Sequence, residues 1–243
     1  MPEQVILLSL PQLAVAFVPV AITLVILWRW SMGPGNALYA LGRMLVQLLL
    51  IGYVLAWIFG ATSGWMVLIV LAIMLAASSW IALRTVPEQR SRLLLASLLG
   101  VTVGGGITLA LVTQGVLRLD PWYLPRYMIP LAGMAFASAL TAVSLAAERL
   151  FAELAHGDSW QQARKVAYQA AMIPVINSLF AVGLVSLPGM MTGQILAGVT
   201  PLIAARYQIV VMCMIFAAAG ISTAVFLAIC GKTVGEELRT KRE

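Results

Sequence analysis

Long apolar stretches recur along the whole chain, and they restrict its possible folds more than any other feature does. A helix that crosses the roughly 30 Å hydrocarbon core of a bilayer needs about 20 apolar residues. Seven stretches approach that length, and a chain of 243 residues with 62% hydrophobic and 10% charged residues has too little polar surface for a water-soluble globule. We therefore predict an all-α, polytopic membrane helix bundle, built as a single transmembrane domain over residues 1–243. The predicted spans are residues 5–28, 44–60, 65–83, 93–117, 127–147, 172–187 and 207–231.

The distribution of Lys and Arg among the predicted loops gives an orientation, because cytoplasmic loops are enriched in basic residues. If the N-terminus lies outside, twelve of the 15 basic residues fall on the cytoplasmic side, and only Arg118, Arg126 and Arg206 lie outside. The sequence thus predicts an outer N-terminus and a cytoplasmic C-terminus. Glu3, and the lack of a basic segment before the first apolar stretch, favour a permanent span there over a cleaved signal sequence.

The residues that usually carry enzyme chemistry are scarce in the predicted spans. Every Asp and Glu lies at the end of a span, in a loop or in a tail, so we expect neither a proton relay nor a carboxylate cage for a hard cation. The single histidine, His156, belongs to a loop, which argues against a catalytic pair in the membrane. Cys213 and Cys230 lie in one apolar run, where thiols usually act as small hydrophobic groups.

The tripeptide Gly231-Lys232-Thr233 resembles the end of a phosphate-binding loop. That motif requires a glycine five residues before the Gly-Lys pair, where this chain has Phe226. The tripeptide also leaves a predicted membrane helix instead of following a strand. We therefore expect no nucleotide site, no cofactor and no enzyme activity in this chain.

The longest predicted cytoplasmic loop, residues 148–171, contains a helix start signal. Ser159 can accept a hydrogen bond from the amide of Gln162, whose side chain can reach back, in the Ser-x-x-Gln form of a capping box. Trp160 and Arg164 suit either the lipid headgroup layer or a docked protein. The pattern alone favours the first, because basic amphipathic turns are common at inner membrane faces.

Residues 186–206 contain too many helix breakers for one straight helix. Irregular apolar backbone at membrane depth is tolerated where protein buries it or where it lines a cavity, so we expect a broken or re-entrant element at the outer mouth of a pathway. Gly189 and Gly193 are expected to permit a backbone geometry that other residues resist. Met190 and Met191 are candidate soft metal ligands, although methionines in an apolar stretch more often serve packing. The breakers are Pro188, Gly189, Gly193, Gly198 and Pro201.

Glycine and proline also interrupt two of the predicted spans. In the fourth span, Gly100 and Gly104 form a small-xxx-small pair beside two further glycines. Close helix packing is the favoured interpretation, and a hinge or an unwound substrate site is the alternative. At the start of the sixth span, Pro174 is expected to kink or restart the helix.

Residues 173–178 read Ile-Pro-Val-Ile-Asn-Ser, and residues 205–209 read Ala-Arg-Tyr-Gln-Ile. Together with residues 182–185 and 186–198, they resemble the Fet-type ABC-transporter permeases, a family associated with bacterial iron export and related to plant aluminium-tolerance membrane subunits. The resemblance implies a permease domain in the bacterial inner (cytoplasmic) membrane. It also implies a homodimer that works with two copies of a separate ABC ATPase subunit, which binds ATP and Mg.

The resemblance further implies a coupling helix in the loop at residues 148–171, seated on the ATPase. Residues 153–159 keep only a degenerate form of the Glu-x-Ala-Leu-x-Leu-Gly-Ala-Ser stretch of the family. The expected function is export of iron or another metal species. The alternatives are an ABC permease for a non-metal substrate, a gradient-driven channel or carrier, and a membrane scaffold. The expected coupling residues are Glu153, Gly157, Ser159, Trp160, Gln162 and Arg164. The expected pathway residues are Asn177, Pro188, Gly189, Thr192, Gly193 and Gln194.

Overall fold

The computed structural model describes residues 9–59 and 63–240, with the backbone alone for residues 54–57, 59 and 232–240. Its regular structure is helical, as predicted, and within these ranges only Val182 and Ser186 form a strand-like bridge. The α-helices are α1 (Leu10–Val15), α2 (Val18–Arg29), α3 (Gly35–Phe59), α4 (Gly64–Ala82), α5 (Arg90–Val101), α6 (Ile107–Ala110), α7 (Pro125–Ala155), α8 (Trp160–Ala181), α9 (Gly189–Leu196) and α10 (Pro201–Thr240). Short 3₁₀ turns at Leu83–Thr85 and Pro87–Gln89 join α4 to α5.

The chain divides into two compact units, Met1–Ala61 and Thr62–Glu243. In the first unit, α1 and α2 are separated at Ala16 and Phe17, just before Pro19 in the first turn of α2. Proline is tolerated there because the first amides of a helix have no partner within the helix. Apart from Thr23 and Arg29, the side chains of α2 are apolar, and none of its side chains is buried. This arrangement suits a lipid environment far better than water.

Helix α7 makes the most extensive contacts in the second unit, where it packs against α4, α8 and α10. Its buried face carries alanines at alternating spacings of three and four residues, and such small side chains let neighbouring helices approach closely. Larger side chains fill the space around them: Leu83 and Phe226 lie in one buried cluster, and Val101 and Met214 in the other. The alanines are Ala132, Ala135, Ala139, Ala142 and Ala146.

The predicted fourth span is a helix that contains two wider turns. π-helical turns at Thr102–Gly106 and Leu111–Val116 separate its α-helical parts. At the first of them the backbone lies directly against α10, because a Cβ on Gly104 would collide with Ser222. A Cβ on Gly100 would lie 2.8 Å from the carbonyl oxygen of Ser222. The close packing expected from Gly100 and Gly104 is therefore confirmed.

Six helical stretches in the described residues are long and apolar enough to cross a membrane. The polytopic helical fold is thus confirmed, but residues 172–187 are not among these stretches. Residues 5–8 of the first predicted span and Gly60 of the second lie outside the described residues. The six stretches are Leu10–Arg29, Gly35–Tyr53, Gly64–Thr85, Pro87–Val116, Pro125–Ala155 and Pro201–Gly231.

Helix α8 explains why the predicted sixth span is missing from this set. It runs through Pro174 as a single helix. Of the expected kink or restart at Pro174, the restart is therefore excluded, and the predicted loop helix and span are one element. Helix α8 has 22 residues, but its first turns carry Arg164 and Lys165, so its apolar part is shorter than those of the six stretches. Packing against α7 continues on both sides of the proline, through a row of buried residues. This row is Ala163, Ala167, Ala171 and Val175.

Candidate functional site

The α7–α8 turn, residues 156–159, lies among the residues expected to couple the chain to an ATPase. Helix α7 ends in a Schellman motif, in which the amide of Asp158 donates to the carbonyl of Glu153 at 3.2 Å and the amide of Gly157 donates to the carbonyl of Leu154 at 3.1 Å. Gly157 has a φ of 93°, a left-handed conformation that glycine adopts without steric cost. The turn therefore has a well-defined backbone.

Side chains on both sides of the α7–α8 turn add to this order. The amide of Gln162 donates to Oγ of Ser159 at 3.3 Å, which is the N-cap hydrogen bond predicted from the sequence. Glu153 forms an ion pair with Arg149, four residues earlier in α7. The carboxylate of Glu153 is thus engaged within its own helix.

Trp160 anchors the first turn of α8 to α10. Its side chain is half-buried and packs against the buried cluster that contains Phe226. The contact with α10 is close, because a Cβ on Gly231 would lie 2.9 Å from Cζ2 of the Trp160 indole. The amphipathic pattern of the sequence did not indicate this structural role.

Gln162 and Arg164 remain exposed on α8. Beside them, a cleft of about 570 Å³ lies between α8 and α10. Arg164 and Lys165 contribute two positive charges to its wall, and Leu227 contributes to its apolar part. The start of α8 therefore presents a basic surface next to a rigid turn.

Residues 186–206 contain a short helix, α9, between two tight turns. Gly183, with a φ of 83°, lies in the turn that follows α8, and Gly198, with a φ of 90°, lies in the turn that precedes α10. Gly189 and Gly193 lie in α9 itself, and a Cβ on either would meet open space. The expectation that Gly189 and Gly193 supply an unusual backbone geometry is therefore wrong, because the glycines on either side of α9 do so.

The structure places most of the expected pathway residues on α9 and leaves one on another helix. The hydroxyl of Thr192 donates to the carbonyl of Pro188 at 3.2 Å, so it is used within α9. Oε1 of Gln194 is buried and has no hydrogen-bond partner among the described residues. Met190 packs against the buried cluster at the start of α7, whereas Asn177 is exposed on α8.

A cavity of about 380 Å³ lies beside α9, between the end of α8 and α10. We call it the α9 cavity. Met191 from α9, and Met212 and Cys213 from α10, are among its lining residues. Gln208 of α10 also lines it; this side chain is 6% exposed, and its Oε1 has no hydrogen-bond partner among the described residues. Of these four residues, the sequence analysis selected Met191 alone as a candidate ligand. Gln208 could have been found only from its position as a polar residue inside an apolar helix.

Comparison with protein families then identifies the chain. Residues 10–234 match the model of the Uncharacterised protein family (UPF0014). The chain belongs to this family. The match contains both the α7–α8 turn and the α9 cavity, so both lie in the part of the chain that defines the membership.

Three relatives illustrate what the family contains. A UPF0014 membrane protein of Synechocystis sp. is 36% identical over 214 residues, which cover 81% of this chain and 82% of the relative. The Probable iron export permease protein FetB of Escherichia coli is 35% identical over 208 residues, or 77% of each chain. Protein ALUMINUM SENSITIVE 3 of Arabidopsis thaliana is 32% identical over 234 residues, or 89% of this chain and 84% of the relative. The resemblance noted in the C-terminal third is thereby confirmed, and no solved structure matches the chain.

Proposed function

We propose that this chain is the permease subunit of an ABC transporter that exports iron or another metal species. The observation that carries the proposal is the 35% identity to the Probable iron export permease protein FetB over 77% of both chains. The six apolar helical stretches supply the membrane-embedded body that such a subunit needs. In this proposal the chain lies in the bacterial inner membrane, with its N-terminus outside and its C-terminus in the cytoplasm. Helix α8 makes a seventh pass beside the six stretches, because Trp160 at its start packs against Gly231 of α10.

The energy for transport comes from a separate ATPase subunit. This chain has Phe226 where a phosphate-binding loop needs glycine, which supports an arrangement in which ATP and Mg bind to the partner. The permease itself carries out no chemical reaction. Two copies of the chain and two copies of the ATPase form the working complex, because a symmetric pair of permeases encloses one pathway around its axis.

The α7–α8 turn is the coupling element in this proposal. Its backbone is held by the Schellman motif and the Ser159 cap, and Trp160 ties the start of α8 to α10. A rigid turn transmits the movement of a docked protein to the helices behind it instead of absorbing that movement. The exposed Gln162 and Arg164 are available for the contact.

Co-purification tests the proposed partnership. The tagged chain is co-expressed with an ABC ATPase subunit from the same organism, and the ATPase retained on the affinity resin is measured. We expect Arg164→Glu to weaken retention about tenfold or more, which corresponds to ~1.4 kcal/mol of binding free energy. The matched control is Arg126→Glu, which reverses another exposed arginine in the first turn of α7 and should leave retention unchanged.

Two outcomes count against the pump. One is that neither the wild-type chain nor the Arg126→Glu variant retains any ATPase. The other is that vesicles containing the chain alone move metal down a gradient as fast without ATP as the complex does with it. The second result would favour a channel or carrier.

A further inference from the structure

Three sulfur atoms belong to side chains that line the α9 cavity. Two are the thioethers of Met191 and Met212, and the third is the thiol of Cys213. Gln208 lies four residues before Met212, so these two residues share one face of α10. The α9 cavity therefore combines two thioethers, a thiol and a carboxamide with an otherwise largely aliphatic lining.

The state of Gln208 indicates that the α9 cavity is suited to a polar or charged occupant. The side chain is 6% exposed and Oε1 accepts no hydrogen bond from the described residues. A buried amide oxygen without a partner costs free energy, which an occupant that offers positive charge can recover. Hydrocarbon alone would leave that cost in place.

The ligand types of the α9 cavity select one class of cation. Hard cations such as Mg²⁺ and Ca²⁺ require several oxygen ligands, mostly carboxylates and carbonyls. Within residues 9–59 and 63–240, no group of three or more His, Cys, Asp or Glu side chains is placed to hold a metal ion. Thioether and thiolate sulfur instead select soft ions such as Cu⁺.

We propose that the α9 cavity binds a soft monovalent metal cation, with the chemistry of Cu⁺ or Ag⁺, through the sulfur atoms of Met191, Met212 and Cys213. Cys213 binds as the thiolate, and its proton passes to water. The singly charged cation and the thiolate then form a pair without net charge, which suits an apolar lining. Oε1 of Gln208 offers the bound cation the partly negative end of its amide dipole.

A metal site in the α9 cavity would also indicate a class of transported substrate. If the α9 cavity lies on the pathway, soft metal ions are among the exported species, and this step rests on the proposed function. Binding of the ion to the chain does not depend on that function. The two can therefore be tested separately.

Titration of the purified full-length chain with Ag⁺ tests the binding site. Isothermal calorimetry in a buffer without thiols or chloride should give one ion per chain, with an affinity that excess Mg²⁺ does not change. We expect the double variant Met191→Leu/Met212→Leu to raise the Kd for Ag⁺ about tenfold or more. Replacing even a residue that only hydrogen-bonds to a metal ligand typically weakens metal affinity by that factor. Cys213→Ser should raise the Kd and also abolish proton release, measured in buffers of different ionisation enthalpy.

The chain offers a matched control for each change. Met214→Leu removes a thioether of α10 that lies in a buried cluster, and Cys230→Ser removes the buried thiol of α10. Both controls should keep the wild-type Kd. The leucine variants conserve side-chain volume, so their melting temperatures should stay near that of the wild type. The site assignment is overturned if the wild-type chain shows no saturable binding, or if control and cavity variants lose affinity equally.

These results can be distinguished from those of the ATPase experiment, because the titration uses the chain alone. Saturable Ag⁺ binding without ATPase retention would remove the proposed function and keep the cavity site. ATPase retention without Ag⁺ binding would remove the cavity site and keep the proposed function.

Discussion

Gly104 sets the distance between the fourth span and α10. A Cβ at this position would collide with Ser222, so any larger residue forces the two helices apart. Gly106 belongs to the same π-helical turn, yet a Cβ there meets open space. The two glycines have almost the same local sequence and differ in what lies opposite them.

The substitution Gly104→Ala should lower the free energy of unfolding by about 1–3 kcal/mol, the usual cost of overpacking a close contact. Gly106→Ala should leave the free energy of unfolding unchanged or raise it by up to about 1 kcal/mol, because alanine favours a helix more than glycine does. Denaturant titration of both purified variants in detergent micelles measures the difference. Equal destabilisation of the two variants would show that the contact with Ser222 does not govern this turn.

At the scale of single residues, the sequence predicts features whose causes are local. The Ser159 cap depends on a partner three residues away, and it is present as predicted. The geometry assigned to Gly189 was wrong, because a cluster of breakers does not show which glycine takes a positive φ. Gln208 and Cys213 were not predicted as cavity residues, because the residues opposite them come from α8 and α9 and only the fold brings these helices together.

At the scale of elements, the α7–α8 turn is the part most sensitive to a small change. Gly157 has a left-handed backbone, and an alanine there costs roughly 1–2 kcal/mol. The Schellman motif would be weakened, while the buried faces of α7 and α8 would be unaffected. If the turn couples the chain to an ATPase as proposed, damage of this kind affects coupling before it affects folding.

We expect Gly157→Ala to reduce ATP hydrolysis by the reconstituted complex several-fold, while membrane insertion stays at the wild-type level. Gly193→Ala is the matched control, because its Cβ points into open space and its backbone is helical. Phosphate release from the complex in nanodiscs gives the rate. Unchanged hydrolysis in Gly157→Ala would mean that the rigidity of the turn does not matter for coupling.

Helix α8 shows why the boundaries of elements were harder to predict than their existence. Its first half is polar and its second half apolar, so the sequence indicates a surface helix followed by a span. Buried small residues run through both halves and hold one continuous helix against α7 despite Pro174. The π-helical turns of the fourth span were equally hidden, because a run of glycines shows only that the backbone can approach its neighbour.

At the scale of the whole molecule, composition was sufficient to predict a polytopic helical membrane protein. The length and apolar character of six stretches follow directly from the sequence. Family membership adds a relative whose name describes it as a probable iron export permease. The orientation in the membrane was inferred from the charges of the loops alone. The partnership with an ATPase depends on the surface of another protein. Both therefore remain proposals.

Metal movement across a sealed membrane tests the central claim most directly. The chain is reconstituted in liposomes with the proposed ATPase subunit, and metal flux is measured with ATP, without ATP, and with the chain alone. The account predicts flux when the ATPase and ATP are both present, and loss of flux when the ATPase carries an inactive nucleotide site. Equal flux through the chain alone, with or without ATP, would contradict it.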